Sequence, residues 1–196
     1  AYYYYDCAQA YNILTDKESA ISSYKKAIAL KEDYLEANNN VGNILREVGR
    51  HDEAIQYFKK TIQINDKFSI GYYNLGLTYD EKKDYDSAVS FYKKTIEINP
   101  NFAEAYNDIG TVYSILGKFN DAQKFFIKSI KINKLFAEPY KNYVQSCKIN
   151  EKDEIFKNLK EIVKNEDLDN EQKEVFFYSI SKIYFDVGDD DLAFKY

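Results

Sequence analysis

The chain has 196 residues, of which 45% are hydrophobic and 30% are charged, with a formal net charge of -5 and a sequence pI near 5.1. This composition is typical of a folded globular protein and excludes a disordered or fibrous one. The acidic balance disfavours nucleic acid and anionic lipid as partners, and no apolar run approaches the roughly 20 residues that cross a bilayer.

Two features of the chain bear on its origin. Only two cysteines occur, Cys7 and Cys147. We expect both to be free core thiols, which favours a reducing compartment, and we therefore expect a cytoplasmic protein. The chain opens with Ala1 instead of Met, so we also expect a fragment of a longer protein that continues beyond Tyr196.

A small residue recurs every 34 residues, and an aromatic ring follows it four residues later. The alanines are Ala20, Ala54, Ala88 and Ala122, and the rings are Tyr24, Phe58, Tyr92 and Phe126. We number each repeat from position 1, starting at Ala1. Large residues then fill positions 4, 7 and 11, and small ones fill position 8, a spacing that follows one face of a helix. Position 8 reads Ala8, Gly42, Gly76, Gly110 and Val144. Each repeat is therefore predicted to be two helices, with position 8 marking their close contact.

The turn residues agree with this phase. Gly49 and Gly117 lie at position 15, where the first helix is predicted to end in a left-handed residue. Asp52, Asp86 and Asn120 follow, and we expect their side chains to cap the second helices.

These columns resemble the signature of the tetratricopeptide repeat family. The residues that match it best are Tyr72, Leu75, Gly76, Tyr79, Ala88, Tyr92, Thr95 and Pro100. The resemblance implies an all-α fold, a right-handed superhelix of about five and a half helix-turn-helix repeats, with the first helices lining its concave face. We expect one array over 1–196: regular repeats at 1–34, 35–68, 69–102 and 103–136, a degenerate repeat at 137–173 and a truncated one at 174–196.

The fifth repeat departs from the pattern. Phe156 occupies the alanine position, and the next copy begins near Glu174, so this repeat holds three extra residues. We expect them in the acidic connection from Glu166 to Asn170.

If first helices line the groove, positions 2, 5, 6, 9, 12 and 13 face a ligand. Position 6 is the most regular of these: Asp6, Asn40, Asn74, Asp108 and Asn142. It resembles the asparagine ladder in the groove of the O-linked N-acetylglucosamine transferase, and such side chains can hydrogen-bond a peptide backbone. Simple solvation of this column is the alternative. The other candidate groove residues are Tyr5, Tyr73, Asn107 and Lys141 at position 5 and Asn43 at position 9.

The sequence indicates no catalytic, cofactor or metal site, because the only histidine, His51, lies in a predicted turn. We therefore expect a non-enzymatic scaffold that binds an extended peptide or a helix of a partner protein, with end-to-end self-association as a further possibility. A second hypothesis comes from residues 174–196. They resemble the last repeat before the catalytic domain of bacterial tetratricopeptide-sulfotransferase proteins, which would make this chain a region that positions a substrate or partner.

Overall fold

The computed structural model describes residues 1–149, 153–165 and 167–196, and every regular element in these ranges is an α-helix. The all-α prediction is confirmed. The helices are α1 (Tyr2–Ile13), α2 (Lys17–Leu30), α3 (Leu35–Glu47), α4 (His51–Ile64), α5 (Ser69–Glu81), α6 (Tyr85–Ile98), α7 (Ala103–Ile115), α8 (Phe119–Ile132), α9 (Glu138–Ser146), α10 (Glu154–Ile162), α11 (Asn170–Val187) and α12 (Asp190–Lys195).

Residues 1–100 form the first of two compact units and contain α1 to α6. Each of these helices packs against the next one along the chain, and α3 also contacts α5. The predicted alanine column lies at the centre of this packing, since Ala20, Ala54 and Ala88 have no exposed surface. The unit is therefore built from three successive helical hairpins.

The small residues at position 8 are where the two helices of a hairpin meet most closely. A Cβ added to Gly42 would lie 2.6 Å from Cε1 of Phe58, and one added to Gly110 would lie 2.6 Å from Cε1 of Phe126. Both rings are buried. Glycine is therefore needed at Gly42 and Gly110, because the ring of the second helix occupies the volume that a side chain would fill.

Position 11 was predicted as a core column, and this is wrong for Tyr11, whose side chain is 40% exposed. The difference lies in its partner on the second helix. Tyr79 stacks on Phe91 at a centroid distance of 5.3 Å, and Tyr113 packs edge-on against Phe125 at 5.4 Å. In the first repeat the position of those phenylalanines is held by Ser23, which offers no ring to cover Tyr11.

The turns confirm the predicted left-handed glycines and correct the predicted caps. Gly49 and Gly117 have φ of 77° and 73°, and the equivalent Thr15 and Lys83 adopt 62° and 61°. The N-cap of each second helix is the residue directly after the left-handed one. The predicted caps lie too far along the chain, because the turn is shorter than expected. Asp16 and Asp84 accept hydrogen bonds from the backbone N–H of Ser19 and Ser87, whereas Arg50 and Lys118 provide no cap. Asp52, Asp86 and Asn120 lie within the first turns of α4, α6 and α8 and do not cap them.

Residues 101–196 form the second compact unit, with α7 to α12. The regular hairpin of α7 and α8 is followed by α9 and α10, which have nine residues each, and α10 packs against α11. Phe156 is completely buried, in the place where regular repeats have alanine. A full ring at this position is incompatible with the close approach that the alanine allows, which accounts for the irregular fifth repeat.

The helix α11 begins at Asn170, before the predicted start of the sixth repeat at Glu174. Its first residues are held by a capping box between Asp169 and Gln172. Asn170, predicted to belong to an inserted connection, is thus helical. Glu166, the other end of that predicted insertion, lies outside the described residues. The single uninterrupted array remains a prediction.

Candidate functional site

The position-6 asparagines, predicted to face a ligand, bind the preceding repeat. In the first unit, Nδ2 of Asn74 donates to Oδ1 of Asn39 at 2.9 Å, and Nδ2 of Asn40 donates to the hydroxyl of Tyr5 at 3.1 Å. In the second unit, Nδ2 of Asn142 donates to Oδ1 of Asn107 at 3.0 Å. In all three cases position 6 of one repeat binds position 5 of the repeat before it. The amide nitrogens therefore join neighbouring repeats, and Asn74 is only 7% exposed.

The remaining candidate groove residues have different surroundings. Asp6 is exposed on α1, and Asp108 accepts a hydrogen bond from Nδ2 of Asn107 at 3.2 Å. Tyr73 on α5 has its ring centroid 5.7 Å from that of Tyr92. The ammonium of Lys141 lies 5.8 Å from the ring centre of Tyr178.

Tyr5 belongs to an aromatic cluster at the start of the first unit. Its ring stacks on Tyr34 at a centroid distance of 5.0 Å and meets Tyr24 edge-on at 5.5 Å. Burial raises the pKa of the Tyr5 hydroxyl, and the hydrogen bond from Asn40 opposes that rise. The hydroxyl of Tyr5 therefore accepts the hydrogen bond from Asn40, just as Oδ1 of Asn39 accepts the one from Asn74 one repeat later.

A notch lies between the first helices α1 and α3 of the first unit. We call it the α1–α3 notch; its volume is about 420 Å³. The residues lining it are Gln9, Asn12, Ile13, Tyr24, Asn40, Asn43, Ile44 and Glu47. Oδ1 of Asn43 is buried there and has no hydrogen-bond partner in the described part of the chain. The notch therefore combines a mainly polar lining with a buried acceptor that no group among the described residues satisfies.

The second unit carries an equivalent notch between α7 and α9, the α7–α9 notch, of about 280 Å³. The residues lining it are Thr111, Ser114, Ile115, Phe119, Phe126, Asn142, Gln145 and Ser146. Seven of these eight occupy the same repeat positions as residues of the α1–α3 notch. The hydroxyl of Ser114 is likewise buried without a partner among the described residues. The sequence predicted that positions 6, 9, 12 and 13 face a ligand, and most of these residues occupy those positions. It did not predict the notches, which form only where side chains of one first helix meet those of the preceding repeat.

An apolar surface lies at the end of the second unit. Phe194 is 92% exposed and, with Tyr178 and Phe185, lines a hollow of about 460 Å³. Tyr196, by contrast, is stacked on Tyr184 at a centroid distance of 5.8 Å. Within the described ranges no helix is long and apolar enough to cross a membrane, and no cluster of three or more His, Cys, Asp or Glu side chains is arranged to hold a metal ion.

The helices form pairs that meet along a column of small residues, and the first helices of these pairs carry repeated notches. These features define a helical-repeat protein, a class that binds other proteins. Three family models, each described as tetratricopeptide repeat, match residues 1–34, 33–101 and 91–124 and together span more than half of the chain. The chain belongs to the tetratricopeptide repeat family.

Solved structures of this fold resemble the chain over nearly its whole length. A crystal structure of MamA protein matches with a TM-score of 0.69 and 20% identity, covering 98% of this chain and 93% of that one. The crystal structure of YrrB, described as a TPR protein with an unusual peptide-binding site, matches with a TM-score of 0.62 and 19% identity, covering 98% of this chain and 89% of that one. At this identity the likeness establishes the fold. No curated protein sequence matches the chain.

Proposed function

We propose that the chain is a protein-interaction scaffold whose first-helix face binds an extended peptide segment of a partner protein. The observation that carries the proposal is the pair of equivalent notches. Each has a buried polar atom with no partner among the described residues: Oδ1 of Asn43 and the hydroxyl of Ser114. Leaving such an atom unsatisfied costs about 1–3 kcal/mol, which a ligand would recover by supplying the missing hydrogen bond. The peptide-binding site named for YrrB agrees with this reading.

The contacts of the position-6 asparagines change the role we propose for them. Because Nδ2 of Asn40 and of Asn142 binds the preceding repeat, we propose that their Oδ1 atoms accept hydrogen bonds from the peptide backbone. Replacing them with alanine would then weaken the stacking of repeats as well as peptide binding. A clean test uses residues that line the notches without bonding to another repeat.

The test begins with selection of random linear peptides on the folded protein. Binding of the enriched peptides is then compared between the unchanged protein, Asn43→Ala, and Lys60→Ala, a control on an exposed part of α4. We expect Asn43→Ala to weaken binding, Lys60→Ala to leave it unchanged, and both variants to keep their helical content. Enriched peptides that protect only second helices from hydrogen exchange, or no enriched peptide at all, would contradict the proposal.

Two finer proposals concern other partners and the parent protein. The surface around Phe194 supports end-to-end self-association, and light scattering at two concentrations would detect a mass that rises with concentration if this is right. The sulfotransferase-type role for residues 174–196 remains a hypothesis. Reading the gene beyond Tyr196 tests it, because the hypothesis requires a strand followed by a phosphate-binding loop.

A further inference from the structure

The space between α3 and α5, one repeat beyond the α1–α3 notch, is crossed by an arginine of the protein itself. Nη1 of Arg46, at position 12, lies 2.5 Å from Oε1 of Glu81, at position 13 of the following repeat. Nδ1 of His51, at position 17, lies 3.4 Å from the other oxygen of Glu81. One carboxylate therefore faces a guanidinium on one oxygen and an imidazole on the other.

The α1–α3 notch brings together the same repeat positions, 12, 13 and 17, but here position 12 carries no guanidinium. Glu47 stands at position 13, and Nζ of Lys17, at position 17, lies 2.5 Å from its Oε2. Position 12 is Asn12, a shorter and uncharged side chain. Among the described residues, the hydrogen bond from Lys17 goes to Oε2 alone, and Oε1 of Glu47 accepts none.

The notch also offers an acceptor that the neighbouring repeat lacks. Position 9 of the third repeat is Leu77, whose side chain accepts no hydrogen bond, and Nε of Arg46 is buried without a partner among the described residues. The corresponding residue in the α1–α3 notch is Asn43, whose Oδ1 is the buried acceptor without a partner. A guanidinium placed in this notch would thus meet two acceptors, Oε1 of Glu47 and Oδ1 of Asn43.

We infer that the α1–α3 notch binds an arginine side chain of the partner peptide, in the place that Arg46 takes one repeat later. This inference rests on the proposed function. A guanidinium fits better than an ammonium because its planar set of N–H donors can reach two separate acceptors at once. Lys17 stays on the other oxygen of Glu47, as His51 does on Glu81.

The α7–α9 notch provides an internal contrast. Its position 12 is Ser114, but α9 ends at Ser146, before position 13, and the described residues that line this notch include no carboxylate. The inference therefore assigns arginine recognition to the first unit and not to the second.

The experiment uses the peptides enriched in the selection described above. We expect them to carry an arginine at one fixed position, and replacement of this arginine by citrulline, which keeps the shape and loses the charge, to weaken binding about tenfold, the loss of one charge-assisted hydrogen bond. Asn12→Arg places a guanidinium next to Glu47 from within, as Arg46 does for Glu81. This variant should also bind about tenfold more weakly, and in it citrulline should cause no further loss.

The matched control is Ser114→Arg, a change to arginine at the same repeat position in the α7–α9 notch, whose described lining residues include no carboxylate. This variant should leave the arginine preference unchanged. Circular dichroism checks that both variants keep their helices. Enriched peptides without arginine, or an effect of citrulline that persists in Asn12→Arg, would overturn the inference while leaving the proposed function standing. A selection that yields no peptide would overturn both.

Discussion

The contact between Gly42 and Phe58 makes a quantitative prediction about how the hairpins are held together. In Gly42→Ala the new Cβ would lie 2.6 Å from Cε1 and 2.9 Å from Cδ1 and Cζ of Phe58, a ring with no exposed surface. Overpacking of this kind costs about 1–3 kcal/mol. Alanine recovers up to about 1 kcal/mol through its higher helix propensity. Because all three contacts are shorter than 3.0 Å, we take the upper half of the overpacking range, about 2–3 kcal/mol, and expect a net loss of about 1–2 kcal/mol in the free energy of unfolding.

Urea unfolding followed by circular dichroism measures this loss, and a double-mutant cycle identifies its cause. Phe58→Leu removes the ring edge that the new Cβ would strike, so the double variant should be more stable than the sum of the single changes by about 1 kcal/mol. Gly49→Ala is the control, since nothing lies within 4 Å of its added Cβ and its cost comes only from the φ of 77°. A neutral or stabilising Gly42→Ala, or strictly additive changes at Gly42 and Phe58, would refute the reasoning.

Three further predictions concern the turns and a half-buried acid. Lys83→Gly should raise the free energy of unfolding by about 0.5–1 kcal/mol in urea, because it relieves a left-handed lysine at φ 61°; a loss of stability would contradict this. Lys118→Asp should give α8 the cap that it lacks and add about 1 kcal/mol, seen as a higher melting temperature, with an exposed Lys60→Asp on α4 as the control. Burial raises the pKa of Asp80, while a hydrogen bond from the hydroxyl of Tyr92 at 3.4 Å opposes the rise. Because the pKa of Asp80 is raised in the folded state, stability is lost as the pH rises through that pKa. Asp80→Asn should therefore be more stable than the unchanged protein at neutral pH, and equally stable below the usual pKa range of aspartate. A stability difference that does not depend on pH would count against this assignment.

The repeat columns were predictable from the sequence because each of them depends on local spacing. Ala54, Phe58 and Gly42 keep the same distances in every regular repeat, and helix geometry alone brings them together. The N-caps were not predicted correctly. The N-cap directly follows the left-handed residue, even where Gly49 and Gly117 mark that conformation, and the sequence pattern does not reveal how short this turn is.

The candidate site could be predicted only in part. Position 6 was identified by its regular Asn and Asp residues, but the bonds of Asn74 and Asn142 join residues 35 apart in sequence. Such contacts depend on how one repeat stacks on the next, which a column pattern does not specify. The pairing of Arg46 with Glu81 depends on the same stacking, and so does the acceptor site that Glu47 and Asn43 form in the α1–α3 notch.

A structure of the protein bound to an enriched peptide tests the central claim most directly. The account predicts an extended peptide along the first helices α1 and α3, with an arginine side chain against Glu47 and Asn43. A peptide bound instead along the second helices α2 and α4 would contradict the account.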